Sequence, residues 1–219
     1  MRIRGKIIWA LAVTANLGTF AAQRSRGGAL EDPTQAVFLR DFAGVPAGVL
    51  SGAKAEVARI FSMAHVGIEW LDCFSTLDEA REPNPCPGRP GTIVLRVVLD
   101  PSGFIDKRAL GYSILSEQGS FYATVSYTRV QQLMANLESA ASLKQVLGHA
   151  MAHELGHILL GHGSHSETGL MQGNWDASQL NDASMGRLNF SRDQAWRIRD
   201  AVARRARDGA LGGQAHADD

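Results

Sequence analysis

The chain has 219 residues, 45% hydrophobic and 20% charged, enough to bury a substantial core as one domain with tails. Its 22 Lys and Arg balance its 22 Asp and Glu, so no net field recommends nucleic acid or an anionic membrane as a partner. The remaining function classes must be argued from local pattern.

The amino terminus reads as a secretory signal peptide over residues 1–22. "MRIRGK" is basic, "IIWALAVTANLGTF" is mostly apolar, and small residues around Ala21 and Ala22 suit cleavage. Thr14, Asn16 and Thr19 interrupt the run, which falls short of the roughly 20 apolar residues a spanning helix needs. An uncleaved anchor is therefore the weaker reading. Export to a secreted or periplasmic location makes a Cys73–Cys86 disulfide the expected state of the two cysteines. Closing so short a loop stabilises by about 3 kcal/mol.

In chain order, "TQAVFLRDF" (34–42) predicts a strand, and Pro46 stands at the start of a helix. Val49, Ala53, Val57, Ile60, Phe61 and Ala64 recur at three- and four-residue steps as one buried stripe, with Gly67 as the helix stop. "VGIEWLD" and "TIVLRVVL" (92–99) follow as strands, the second apolar enough to be covered on both faces. After the "DPSGF" turn, "ALGYSIL" and "SFYATVSY" make about five strands in all. "TRVQQLMANL" begins a short helix, and "SLKQVLGHAMAHELGHILL" is a long one closed by Gly161. A Gly, Ser and Asn-rich loop then runs to about residue 189. A last helix, capped by Ser191, reaches 208, and residues 209–219 read as a disordered tail. The expected domain spans 23–208.

Five of the seven histidines fall within residues 148–165. His153 and His157, four apart on a helix, project from one face a turn apart, where both imidazoles can reach one metal ion. Glu154 points to the side of that pair, where a carboxylate can act as general base on a metal-activated water. This is an HExxH arrangement on a largely apolar helix, where buried charges need partners and a metal is the economical one. A catalytic zinc site needs a third protein ligand. His165 is the leading choice, because the chain reverses after Gly161 with about four residues to return. His162, Glu167, Asp176 and Asp182 stay open as alternatives. His149 is expected to pack or to support the ligands, since three successive turns of one helix cannot converge on one ion. His65 and His216 have ordinary explanations.

"HELGHILLGHGSH" followed by "ETGLMQ" resembles the metzincin branch of the zinc metalloproteases, and in particular small secreted bacterial proteins of this type. The resemblance implies His153, His157 and His165 as zinc ligands, Glu154 as general base and Met171 as the methionine of a turn beneath the metal. It also implies an α+β fold, a zincin/metzincin-like mixed sheet packed on an active-site helix with a C-terminal helix. Substrate would add as a further strand along an edge, either "ALGYSIL" or "SFYATVSY". Leu160 and Gly163 stand where metzincins carry their glycine and third histidine, so Gly161 and His165 are displaced by one and two residues. Gly173 stands where some metzincins carry a tyrosine, which leaves the oxyanion donor unassigned.

The activity implied is zinc-dependent endopeptidase, acting on a peptide or protein substrate and without stable membrane association after processing. The alternative is a secreted protein with a structural zinc and no turnover. Tyr112, Tyr127 and Arg129 are possible contributors to specificity, though a structural role suits each better. Arg197, Arg199, Arg204 and Arg205, interspersed with Asp193, Asp200 and Asp208, read as a solvated face. No cysteine occurs between residues 23 and 50, so latency through a thiolate ligand is excluded.

Overall fold

The computed structural model describes residues 31–71, 91–100, 109–115, 121–137, 140–161 and 163–215, the side chains of 115 and 209–215 aside. The chain divides into Met1–Glu31 and Asp32–Asp219, and the second unit carries every element described. The expected signal segment, the Cys73–Cys86 disulfide, His162 and His216 lie outside the described residues.

Strand β1 (Thr34–Asp41), helix α1 (Ala47–Ser62) and strand β2 (Gly67–Leu71) make a parallel β-α-β unit. β3 (Ile93–Val98), β4 (Gly111–Leu115) and β5 (Phe121–Ser126) complete one five-stranded mixed sheet in the order β2-β1-β3-β5-β4. The first four are mutually parallel and β4 alone runs antiparallel, at the edge. Four helices follow: α2 (Tyr127–Asn136), α3 (Leu143–Leu160), α4 (Ala177–Ser184) and α5 (Arg192–Ala215). Among the described residues, no helix is long and apolar enough to cross a membrane.

The core lies between one sheet face and α1 and α3. Ala53, Val57, Ile60 and Phe61 of α1 are buried there, the stripe read from sequence, with Val49 partly buried beside them. Pro46 caps α1 one residue before its first turn, its carbonyl accepting from the N–H groups of Val49 and Leu50. The helix ends before Gly67. His65 takes the left-handed conformation (φ +55°), and the Val66 N–H donates to the Phe61 carbonyl, a closure that glycine more often supplies. Gly67 instead opens β2, where a Cβ would lie 2.9 Å from Thr34 Oγ1.

Three other expectations change. In β3, Ile93, Leu95 and Val97 are fully buried while Val94, Arg96 and Val98 are half-buried, so its apolar run is not matched by full cover on both faces. The loop expected to reach residue 189 contains α4. Asp176 caps it, accepting from the Ser178 N–H at 2.7 Å, and the Gln179 side chain accepts from the Asp176 N–H at 2.9 Å. That reciprocal bond is a helix-start signal four residues long and easily lost in a polar loop. Finally, α5 runs on to Ala215, beyond the expected stop at 208. The added turns carry Gly209, Gly212 and Gly213, poor helix formers, and so are not explained by composition. Its start is as read: Ser191 Oγ accepts from the Gln194 N–H at 3.2 Å.

Helix α3 runs through the centre of the molecule, buried along most of its length. Gly148 allows it to press on α1, for a Cβ there would lie 2.7 Å from Glu56 Cβ and 2.8 Å from the Ala53 carbonyl.

Candidate metal centre

Helix α3 aims two imidazoles by its periodicity alone. Its start is fixed at Ser142, whose N–H donates to Gln145 Oε1 at 2.9 Å. One turn apart near its end, His153 and His157 bring their Nε2 atoms to 3.0 Å. The helix stops at Gly161, whose φ of +88° and extended ψ only glycine adopts without strain; its N–H donates to the His157 carbonyl at 3.0 Å. The chain then doubles back and sets His165 Nε2 3.1 Å from His157 Nε2. One nitrogen from each ring lies within 4.8 Å of the other two. Ligands about 2.0–2.1 Å from a tetrahedral ion sit about 3.3 Å apart, and the observed spacings approach that value.

The outer nitrogens fix which ring atom faces inward. A carbonyl can only accept, so His153 Nδ1 carries the proton it donates to the Leu170 carbonyl at 2.8 Å, leaving the Nε2 lone pair for a cation. His157 Nδ1 lies 2.7 Å from Ser164 Oγ, a hydroxyl that can accept its proton and so leave Nε2 facing inward. Burial lowers the pKa of His153 to about 4, with a smaller push from His165. Burial also lowers His157 to about 3, aided by His153 and His165. Both rings are thus neutral across the ordinary pH range, the form that binds metal. Three converging imidazole nitrogens, two of them on rings whose outer nitrogens are hydrogen-bonded, could hold a metal ion.

Beneath the helix lies the turn with Met171. Its carbonyl accepts from the Ser166 N–H at 2.9 Å, and Ser166 and Gln172 form an isolated bridge. Met171 is fully buried against Gly156, where a Cβ would lie 2.7 Å from its sulfur and 2.9 Å from Phe190. Gly156, between the two histidines in sequence, therefore lets the turn approach closely enough for Leu170 to hold His153. Gly156→Ala is expected to lower stability by about 1–3 kcal/mol through overpacking and to weaken any metal binding by the histidines, both measurable by urea unfolding with and without added divalent metal. Gly173 serves His165 similarly: a Cβ there would lie 3.1 Å from His165 Nδ1.

Glu154 is buried and lines a cleft of about 810 Å³ together with the three histidines. Gly111, Tyr112 and Ser113 of β4 form another wall, with Leu133 and Asn136 of α2 and Trp175. Burial raises the Glu154 carboxyl to about 8, partly offset by a hydrogen bond from Ser113.

Of the other candidates from sequence, none joins the histidine cluster among the described residues. Asp176 is spent on capping α4, Asp182 pairs with Arg187 at 2.8 Å, and Glu167 is exposed. His149 is fully buried, its Nδ1 donating to the Gln145 carbonyl at 2.8 Å and its Nε2 3.6 Å from Glu56. Tyr112 and Arg129 line the cleft, whereas Tyr127 is in the core. Arg129 donates to the Ala109 carbonyl at 2.8 Å.

The edge strand is "ALGYSIL", since "SFYATVSY" lies between β3 and β4. The arginines of α5 are not all solvated. Arg197 donates to the Leu160 carbonyl at 3.1 Å and Arg205 to the Ile158 carbonyl at 3.3 Å, so both cap the negative end of α3. Arg199 and Arg204 pair with Asp32 and Asp200.

Two contributors are missing from the sequence reading. Trp175 sets its ring edge-on to both His153 and His149, at centroid distances of 5.9 and 6.5 Å. Its signal was a lone large aromatic in a polar loop, which must find a wall to rest on. Ser113 offered none, being one hydroxyl in an ordinary strand. No protein-family model matches the chain, and comparison with curated proteins finds no match.

Proposed function

We propose that this chain is a secreted or periplasmic zinc-dependent endopeptidase of metzincin-like type. The observation that carries the reading is the convergence of His153, His157 and His165 in one cleft beside a buried glutamate and under an exposed sheet edge. The three histidines would hold the zinc, which when bound supplies Lewis acidity to a water and to a substrate carbonyl. Glu154 takes the proton from that water as its oxygen bonds to the carbonyl carbon. It returns the proton to the amide nitrogen as the C–N bond breaks, so one peptide and one water become one carboxylic acid and one amine. β4, which pairs on one side only among the described residues, offers its edge to an extended peptide. Trp175 and the α2 residues restrict what side chains fit beside it.

The export half of the proposal is supported by the composition of residues 1–22. The test is cleavage of a mixed peptide library, read by mass spectrometry, by zinc-loaded protein beginning at Gln23, with Glu154→Gln as control. Cleavage present in the first and absent in the second is expected. Bound zinc with no cleavage in either would replace the enzyme by a protein with a structural metal.

A further inference from the structure

Ser113 sits mid-way along β4, opposite Ala123 of β5 and over α3. Its Oγ lies 2.8 Å from Glu154 Oε2 and 2.8 Å from the Glu154 backbone carbonyl. A serine hydroxyl has one proton and two acceptors to choose from. The carbonyl lies inside α3, where the N–H four residues on, that of Ile158, is its regular partner. The carboxylate oxygen has no such alternative: Ser113 is the one side chain hydrogen-bonded to Glu154 among the described residues. The hydroxyl is thus better used on the side-chain carboxyl group than on a carbonyl already paired within the helix.

Two residues earlier the same strand closes on the other carboxylate oxygen. A Cβ on Gly111 would lie 2.5 Å from Glu154 Oε1 and 2.6 Å from the Thr124 carbonyl. One oxygen is therefore held by a hydroxyl and the other is shaped by the absence of a side chain, both on the strand that ends the sheet order among the described residues. We propose that Ser113 is a positioning residue for Glu154, its hydroxyl fixing the carboxylate in the cleft beside the three histidines. A peptide pairing along β4 would then bear on the strand that aims the base, coupling substrate docking to base orientation.

The catalytic part of this inference rests on the hydrolase reading; the contact itself does not, so the test has two arms. In the first, Ser113→Ala, Glu154→Ala and the double variant are unfolded thermally after chelation. Ser113→Ala is expected to lower the midpoint by several degrees in the wild-type background and by much less where residue 154 is alanine. Additive shifts would overturn the proposal whatever the activity of the wild type. In the second arm, zinc-loaded Ser113→Ala is assayed on fluorescein-labelled casein. The expected result is kcat reduced about 10- to 100-fold with KM and zinc content unchanged, and largely restored in Ser113→Thr. Coupled unfolding with unchanged kcat would overturn the positioning role. Coupled unfolding with no casein cleavage by wild type would overturn the hydrolase reading while upholding the Ser113–Glu154 contact.

Discussion

On dialysis after zinc loading, wild type is expected to retain about one ion per chain by elemental analysis and His157→Ala protein to lose it. His157 is the middle donor of the cluster, 3.0 Å from one partner nitrogen and 3.1 Å from the other. Outer-shell partners of metal ligands are worth about 10- to 100-fold in affinity, so deletion of a ligand should exceed about 100-fold. His165→Ala should behave alike. Asp176→Ala and Glu167→Ala should keep the metal, since neither residue approaches the histidines. The loss should also appear in stability. Zinc at a hundred times its Kd stabilises a folded site by about 2.7 kcal/mol, and that increment should vanish in both histidine variants. Retention of a full zinc equivalent by His165→Ala would move the third ligand elsewhere and weaken the metzincin-like reading.

Glu154→Gln should separate catalysis from binding. Removing a general base typically costs about 10²- to 10⁴-fold in rate, and zinc content should not change, because the carboxylate is not among the converging donors. In the chelated protein the same substitution should change the pH dependence of stability. The Glu154 carboxyl stands at about 8 in the fold against 4.5 as its ordinary value, because burial disfavours its charge. A pKa raised by folding contributes stability that is fully present below 4.5 and is lost as pH rises to about 8. The span corresponds to on the order of 5 kcal/mol. His153 and His157, lowered to about 4 and about 3 by burial, act in the opposite sense: their contribution holds above 6.5 and is lost as pH falls. Comparison of wild type with Glu154→Gln isolates the first effect. The two should be equally stable near pH 4.5, and the variant should be more stable above pH 8 by a few kcal/mol, as read by urea unfolding in EDTA. Parallel curves at both ends would mean that Glu154 is already solvated in the fold.

These expectations depend on different amounts of sequence. The relation between His153 and His157 follows from helical periodicity, and the helix itself from an apolar run and a glycine stop. Such features are local, spanning a few turns of chain, and the observed α3 matches them. The stripe on α1 and the strand segments were legible for the same reason, as was the Ser191 cap. His165 was legible only as the leading candidate, because its place depends on how the chain reverses after Gly161. The tertiary structure places its ring against Gly173 and its Nε2 3.1 Å from His157 Nε2.

The rest was not local. Which strand is the edge, which hydroxyl reaches Glu154, which arginines of α5 cap α3 and where Trp175 rests are all set by contacts between segments distant in sequence. Ser113 and Glu154 are 41 residues apart, and Leu160 and Arg197 are 37 apart. Periodicity assigns a side chain to a face but does not choose the neighbour across it. By itself, the sequence determined two aimed imidazoles and a glutamate beside them. Closure of the site, by a third nitrogen, a buried methionine and an edge strand, came only with the packing of the sheet and the return loop onto α3.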